Sequence, residues 1–167
     1  MSLSNRKSMR LKEYDYNTNG AYFITLCTFD KKHLFGKIEN SEMVLYKTGK
    51  VVQKNIEVLS NIYDNISIEK YVIMPNHLHI ILLIKNQKDM VGFNNRRSNM
   101  LVPKVIQSFK SSITKEYNKI NNGIEQRIKI WQKGYYDRVI RNDKEYFKIW
   151  EYIDNNPLKW ELDEYYD

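Results

Sequence analysis

The sequence has little of what crosslinks a chain or anchors it in a membrane. It contains one cysteine, Cys27, so it can form no internal disulfide and no multi-cysteine zinc site, which fits a reducing intracellular setting. Its longest apolar runs reach only strand length, and the polar opening at 2–7 lacks the apolar core of a signal peptide. The sequence therefore predicts a cytoplasmic protein without a membrane partner.

Positive charge is abundant instead. The 167 residues carry a formal net charge of +7, which attracts polyanions and makes nucleic acid the leading partner class. On charge alone, a lysine-rich protein without such a partner is an equally good explanation. The length suits one compact domain. Within it we expect a basic arm over 1–19, a core over 20–141 and a final helix with its tail over 142–167.

Hydrophobic periodicity divides the chain into strands and helices. Alternating, β-branched segments predict strands over 21–29, 67–74 and 77–85 and an extended segment over 128–140, with a hairpin turn at Pro75-Asn76. Helical spacing predicts helices over 48–62, 102–120 and 142–157, whereas 36–45 reads as a connector and 86–99 as a loop. This order predicts an α+β protein with a ferredoxin-like βαββαβ core, an antiparallel sheet and an extra C-terminal helix.

Two of the three histidines lie two residues apart on the last strand of the predicted hairpin. Side chains alternate along a strand, so His77 and His79 should point to the same face and lie side by side. Two converging imidazoles suit a divalent metal, and a third ligand would have to come from elsewhere. Two incidental histidines on a half-buried strand are the alternative, and the tripeptide alone favours it.

The last predicted helix carries a tyrosine outside its apolar stripe. Tyr146, Ile149, Trp150 and Ile153 form the stripe, and Tyr152 projects away from it with a free hydroxyl. Asn156 follows four residues later on the same surface, where its amide oxygen could complete a site for a hard cation. The pattern alone favours an ordinary surface tyrosine, since the chain contains 13 tyrosines.

The chain contains several long motifs, which are Tyr71-Val-Ile-Met-Pro-Asn-His-Leu-His-Ile80, 130–141 and Tyr152-Ile-Asp-Asn-Asn-Pro157, with further matches over 6–11, 14–16 and 34–36. In collinear order, these motifs resemble those of the REP-associated tyrosine transposases. These relatives of insertion-sequence transposases have a His-hydrophobic-His motif and one catalytic tyrosine. The resemblance implies a ferredoxin-like core, action on single-stranded DNA, often at hairpin-forming repeats, and a Mg²⁺ or Mn²⁺ cofactor.

Carried over by position, the resemblance implies that His77 and His79 bind the metal and that Tyr152 is the nucleophile. Asn156 becomes the third ligand. Attack by the tyrosine would leave a 5′-phosphotyrosyl enzyme and a free 3′-hydroxyl, and no nucleotide cofactor would be needed. A phenol with a reference pKa of about 10 is a weak nucleophile, so the metal or a cation such as Lys148 must favour its ionised form.

Basic residues interleaved with aromatic ones suit a single-stranded DNA partner through phosphate attraction and base stacking. Tyr135 and Tyr136 are candidates for stacking or for core packing, and Arg6 and Arg10 for a hairpin stem or a solvated arm. The sequence leaves monomer and homodimer open. Candidate phosphate contacts are Arg96, Arg97, Lys110, Lys133, Arg138 and Arg141.

Two other functions are compatible with the same residues. A regulatory nucleic-acid-binding module would keep the fold and the basic surface but would not need the histidines. A hydrolytic metallonuclease would use water as the nucleophile and would release 5′-phosphate ends without a covalent adduct.

Overall fold

The computed structural model describes residues 19–85, 101–121 and 128–166. Within these ranges no helix has the length and apolar character needed to cross a membrane. The predicted arm, apart from its last residue, and the predicted loop over 86–99 lie outside the described residues. The elements are β1 (Gly20–Cys27), β2 (Gly36–Glu39), β3 (Glu42–Leu45), α1 (Lys47–Ile62), β4 (Ile66–Ile73), β5 (His77–Ile84), α2 (Leu101–Ile120), β6 (Tyr136–Ile140), α3 (Asp143–Asn155) and a final 3-10 helix (Pro157–Leu162).

Four of the strands form one antiparallel sheet in the order β4-β5-β1-β6. The α+β prediction with an antiparallel sheet is confirmed. The chain leaves β1 through α1 and returns at β4, and it leaves β5 through α2 and returns at β6, so one strand separates the ends of each crossover. The β4–β5 hairpin turns at Pro75-Asn76 as predicted, and the Met74 N–H donates to the His77 carbonyl at 2.8 Å.

The two faces of the sheet carry different cores. On one face, Leu78, Ile80 and Leu82 of β5 are fully buried in the large cluster that includes the apolar residues of α1 and α2. On the other face, Ile81 packs with Ile149 and Ile153 of α3 in a smaller cluster. Residues two apart on a strand share a face, so His77 and His79 lie on the Ile81 side, under α3.

The structure corrects two details of the sequence prediction. The segment predicted as a connector contains the β2–β3 hairpin, whose turn holds Asn40 and Ser41 at φ of 50° and 64°. Two positive φ values in a two-residue turn match the right-handed twist of the strands, but Asn-Ser is a weaker signal for such a turn than Asn-Gly. The predicted extended segment over 128–140 is interrupted at Gly134, and β6 begins only at Tyr136.

Helix α3 begins and ends close to the predicted positions. The Asn142 side chain caps it by accepting a hydrogen bond from the Glu145 N–H at 2.9 Å. Its last residue is Asn155, and Asn156 keeps helical backbone angles before Pro157 starts the final 3-10 helix. The chain therefore continues past the proline and folds back, which brings Asp163 beside α3 and the paired histidines.

Candidate active site

The two histidines of β5 lie side by side, as their spacing predicts. Their ring centroids are 4.6 Å apart, and the side chains are 0% and 1% exposed. The aromatic rings of Trp160 and Tyr165 lie 6.0 and 4.6 Å from the His77 ring, and Phe23 stacks on His79 at 5.1 Å. Aromatic packing therefore fixes both imidazoles beneath α3 and the end of the chain.

Hydrogen bonds at Nδ1 orient both rings. His77 Nδ1 lies 2.9 Å from Asn76 Oδ1, and the Asn76 amide nitrogen donates to the Tyr165 carbonyl at 2.8 Å. An amide oxygen only accepts, so His77 Nδ1 carries the proton and Nε2 keeps its lone pair. His79 Nδ1 lies 2.8 Å from Oγ1 of Thr25, its cross-strand neighbour on β1. Proteins commonly orient a metal-binding imidazole in the same way, by a hydrogen bond to the ring nitrogen that does not bind the metal.

Burial keeps both imidazoles neutral. Loss of hydration lowers the pKa of His77 to about 3, an effect that the neighbouring Asn156 side chain only partly opposes. Burial, followed by the proximity of His77, lowers the pKa of His79 well below its usual range. Neutral imidazoles have a lone pair available, so neither ring needs to lose a proton before binding a cation at neutral pH.

Asp163 joins the histidines, although the sequence did not single it out. Ligand atoms of His77, His79 and Asp163 all lie within 4.8 Å of one another. The Asp163 carboxylate accepts hydrogen bonds from the Tyr165 N–H at 2.7 Å to Oδ1 and from the Asn156 amide at 2.9 Å to Oδ2. Nothing in the periodicity of α3 points to Asp163, because it lies beyond Pro157, where the chain folds back.

The predicted third ligand, Asn156, also reaches this cluster. Its side chain is 3% exposed, and the hydrogen bond to Asp163 uses its amide nitrogen. Its Oδ1 and His77 Nε2 are both buried, and neither has a hydrogen-bond partner among the described residues. Buried polar atoms are nearly always paired, so two orphaned acceptors beside a carboxylate and a second imidazole fit a divalent cation.

Tyr152 of α3 places its hydroxyl at the edge of the same cluster. The oxygen lies 3.2 Å from His79 Nε2 and donates to Asp163 Oδ2 at 3.3 Å, while 39% of the residue is exposed. Burial of the hydroxyl, followed by the nearby Asp163 carboxylate, raises the pKa of Tyr152 above its usual range. The chain's own groups therefore disfavour the phenolate, and a cation at the cluster would have to reverse that preference.

A cavity of about 690 Å³ opens beside the Tyr152 ring. Phe23 and Ile149 supply apolar lining, and Arg138 and Lys148 contribute positive charge. Lys148, predicted to assist the tyrosine, thus faces the same space. The groups that shift the pKa of Tyr152 are burial, Asp163, Asn156 and Glu164, and Lys148 is not among them. The cavity gives a ligand a route to the hydroxyl.

The other candidate DNA contacts occupy different environments. Lys110 donates from Nζ to the backbone oxygens of Gln132 and Gly134 at 2.9 and 2.5 Å, so its charge already holds the loop before β6. Tyr135 is buried in the main core, which leaves Tyr136 as the exposed member of the pair. Arg138 forms an ion pair with Glu145 at 2.5 Å.

The remaining candidates are either on the surface or outside the described ranges. Lys133 and Arg141 are exposed, and the Arg141 backbone N–H donates to Glu145 Oε2 at 3.0 Å. Arg6, Arg10, Arg96 and Arg97 lie outside the described residues. Their part in DNA binding stays a prediction.

No family model matches the chain. An uncharacterized protein of Haemophilus influenzae is 36% identical over an alignment that covers 98% of this chain and 94% of that protein.

Two solved structures share the fold at low sequence identity. A REP-associated tyrosine transposase bound to a REP hairpin superimposes with a TM-score of 0.61 at 20% identity, over 90% of this chain and 73% of that one. A candidate transposase of Deinococcus radiodurans R1 gives a TM-score of 0.52 at 12% identity, over 87% of this chain and 97% of that one. The chain therefore shares its fold with these two proteins.

Proposed function

We propose that this chain, which belongs to the same protein family as the Haemophilus influenzae protein, is a single-stranded DNA endonuclease and strand transferase. The fold that it shares with a transposase and the geometry of its site support the proposal. The observation that carries the proposal is the Tyr152 hydroxyl, which lies 3.2 Å from the His79 imidazole and 3.3 Å from the Asp163 carboxylate. A phenol that lies beside a cluster of metal-ligating groups and lines a cavity has the arrangement that covalent phosphoryl transfer requires.

The proposed metal ligands are His77, His79 and Asp163, joined by the Asn156 side-chain oxygen. A divalent cation bound there would neutralise charge on the scissile phosphate and favour the ionised form of the neighbouring phenol. Two imidazoles and two oxygens suit Mn²⁺ better than Mg²⁺, because Mg²⁺ prefers oxygen ligands in octahedral geometry. We therefore expect Mn²⁺ to support the reaction at a lower concentration than Mg²⁺.

The proposed reaction exchanges one phosphoester for another. The Tyr152 oxygen forms a bond to phosphorus as the bond from phosphorus to the 3′-oxygen breaks, and the phenol proton passes to solvent. The 3′-oxygen leaves as a hydroxyl, taking a proton from solvent, and the 5′-phosphate remains on the tyrosine. Because the phosphotyrosine is itself a phosphoester, a 3′-hydroxyl of another strand can reverse the reaction and complete the transfer.

Hairpin-forming repeat DNA is the proposed substrate. One structural relative is bound to a REP hairpin, and the present chain carries a net charge of +7. Net positive charge supplies the sequence-independent attraction to phosphates, and the cavity beside Tyr152 is open to a flexible single strand.

The test is formation of a covalent adduct. The full chain is incubated with a labelled single-stranded repeat hairpin and Mn²⁺ and is then run on a denaturing gel. We expect a protein–DNA adduct from the wild type and none from Tyr152→Phe. Tyr46→Phe is the matched control, since Tyr46 is exposed to a similar extent, 44% against 39%, and lies outside the site.

The alternatives give different products in the same assay. An adduct of equal yield from Tyr152→Phe would refute the assignment of the nucleophile. Cleavage to free 5′-phosphate ends without an adduct would indicate a hydrolytic nuclease. Binding with neither product, unchanged in His77→Ala, would indicate a non-catalytic nucleic-acid-binding module.

A further inference from the structure

We propose that Phe23, which lines the cavity beside Tyr152, is a stacking platform for one nucleobase of the bound strand. The inference rests on the proposed function, because it assigns a subsite to the same DNA substrate. It concerns β1, an element in which the sequence pattern indicated a strand and no functional residue.

The Phe23 ring is joined to the reactive groups by direct packing. It is half-buried, lies stacked on His79 at a centroid distance of 5.1 Å with 25° between the ring planes, and meets the Tyr152 ring edge-on at 6.1 Å. Its exposed part contributes to the cavity lining. A base stacked there would be adjacent to the ring of the nucleophile.

The surroundings of Phe23 match the two chemical parts of a nucleotide. Apolar surface from Phe23 and Ile149 lines the cavity together with the cationic side chains of Arg138, Lys148 and Lys159. The same cavity is lined by four carboxylates, Glu145, Glu151, Asp163 and Glu164. Arg138 is the cross-strand neighbour of Phe23, and its side chain is 71% exposed. Aromatic rings bind bases by stacking and cations bind the backbone phosphates, so this combination is typical of single-strand binding grooves.

The size of the cavity is also suitable. Its volume of about 690 Å³ lies within the range of about 300–1,000 Å³ that binding sites for small organic molecules occupy. The Glu145 carboxylate, which pairs with Arg138 at 2.5 Å, also lines the cavity. A phosphate entering this space would compete with Glu145 for the Arg138 guanidinium, which binds phosphate through paired N–H donors.

The experiment compares a polymer with bases and a polymer without them. Oligodeoxyadenylate and an abasic oligodeoxyribose phosphate of equal length are titrated with the full chain in Mn²⁺, and binding is followed by fluorescence anisotropy. A homopolymer offers a base to the cavity in every register, so the preferred sequence need not be known. The variants are Phe23→Leu, which removes the aromatic ring, and Phe23→Trp, which keeps one. Phe147→Leu is the control, because Phe147 lies on α3 with 67% exposure and does not line the cavity.

We expect Phe23→Leu to weaken binding of oligodeoxyadenylate about fivefold, the low end of what stacking of one base contributes, and to leave abasic binding within about twofold. Phe23→Trp should retain the preference for the base-bearing polymer, and Phe147→Leu should behave as wild type. Mn²⁺ affinity, measured by electron paramagnetic resonance, should be unchanged in Phe23→Leu. This measurement is needed because Phe23 also packs on His79.

Three results would overturn the subsite. These are equal losses on both polymers, no loss on either, or a loss accompanied by weaker Mn²⁺ binding, which would mean that Phe23 only supports His79. The adduct assay separates this inference from the proposed function. Base-dependent binding through Phe23 without any adduct would refute strand transfer alone, whereas an adduct with unchanged binding by Phe23→Leu would refute the subsite alone.

Discussion

The last 26 residues of the chain differ in charge from everything before them. Residues 142–167 contain eight acidic and three basic side chains, whereas residues 1–141 contain 12 acidic and 24 basic ones. The candidate nucleophile and Asp163 therefore belong to a segment of net negative charge, and the positive charge that we propose attracts DNA lies in the rest of the protein. This division shows why the proposed chemistry needs a cation. Without one, phosphate, Asp163 and a developing phenolate would be brought together as like charges.

We expect the largest loss of adduct formation when a proposed metal ligand is removed. His77→Ala eliminates a buried imidazole whose Nε2 lies in the proposed cation site, and we expect the adduct to fall at least about a hundredfold, since even residues that only orient metal ligands contribute about 10- to 100-fold. Adduct yield over a range of Mn²⁺ concentrations measures the loss. His33→Ala is the control, because His33 is exposed and packs on Trp160. Equal yields from both variants would show that the acidic segment reacts without a cation.

Neutralising the Asp163 carboxylate tests whether this residue contributes to the proposed cation site by its charge or by its hydrogen bonds. Asp163→Asn keeps an oxygen that can accept from the Tyr152 hydroxyl or the Asn156 amide, but it removes the negative charge. We expect the Mn²⁺ concentration for half-maximal adduct to rise about 10- to 100-fold. Glu161→Gln, an exposed neighbour of the same charge, should leave it unchanged. An unchanged requirement in Asp163→Asn would remove Asp163 from the ligand set.

Lys110 lies in the basic part of the chain, but its charged side chain stabilises the fold. Its Nζ hydrogen bonds to the Gln132 and Gly134 backbone oxygens hold the loop that leads into β6. Lys110→Met should lower the free energy of unfolding by about 1–2 kcal/mol, as expected for hydrogen bonds from a charged donor at a partly exposed site. Urea denaturation measures this change, with Lys133→Met as an exposed control. A weaker affinity for DNA without any loss of stability would instead make Lys110 a phosphate contact.

Local patterns in the sequence were sufficient for the parts of the site that lie on regular elements. The two-residue repeat of β5 places His77 and His79 on one face, and the helical repeat of α3 leaves Tyr152 outside the apolar stripe, where the structure has its hydroxyl beside His79. In both cases the period of one element decides the direction of the side chain. The roles of these residues rested on the resemblance to a family, and they remain predictions.

The position of Asp163 could not be predicted from local sequence patterns. Its position depends on the final 3-10 helix and on the hydrogen bond that the Tyr165 N–H donates to its carboxylate, and neither feature has a periodic signal. The β2–β3 hairpin was missed for a similar reason, because Asn40 and Ser41 adopt positive φ without a glycine. The burial of Tyr135 and the exposure of Tyr136 likewise depend on where β6 begins, which Gly134 sets. These features depend on backbone conformation rather than on the spacing of apolar residues.

The most direct test of the account is to identify the residue that becomes linked to DNA. The adduct formed with a repeat hairpin and Mn²⁺ is treated with nuclease and trypsin, and the modified peptide is sequenced by mass spectrometry. Cleavage after Lys148 and Lys159 releases a peptide, 149–159, in which Tyr152 is the one tyrosine. We predict that this peptide carries a nucleotide through its 5′-phosphate. A nucleotide on any other peptide, or none on a protein that still cleaves the hairpin, would contradict the account.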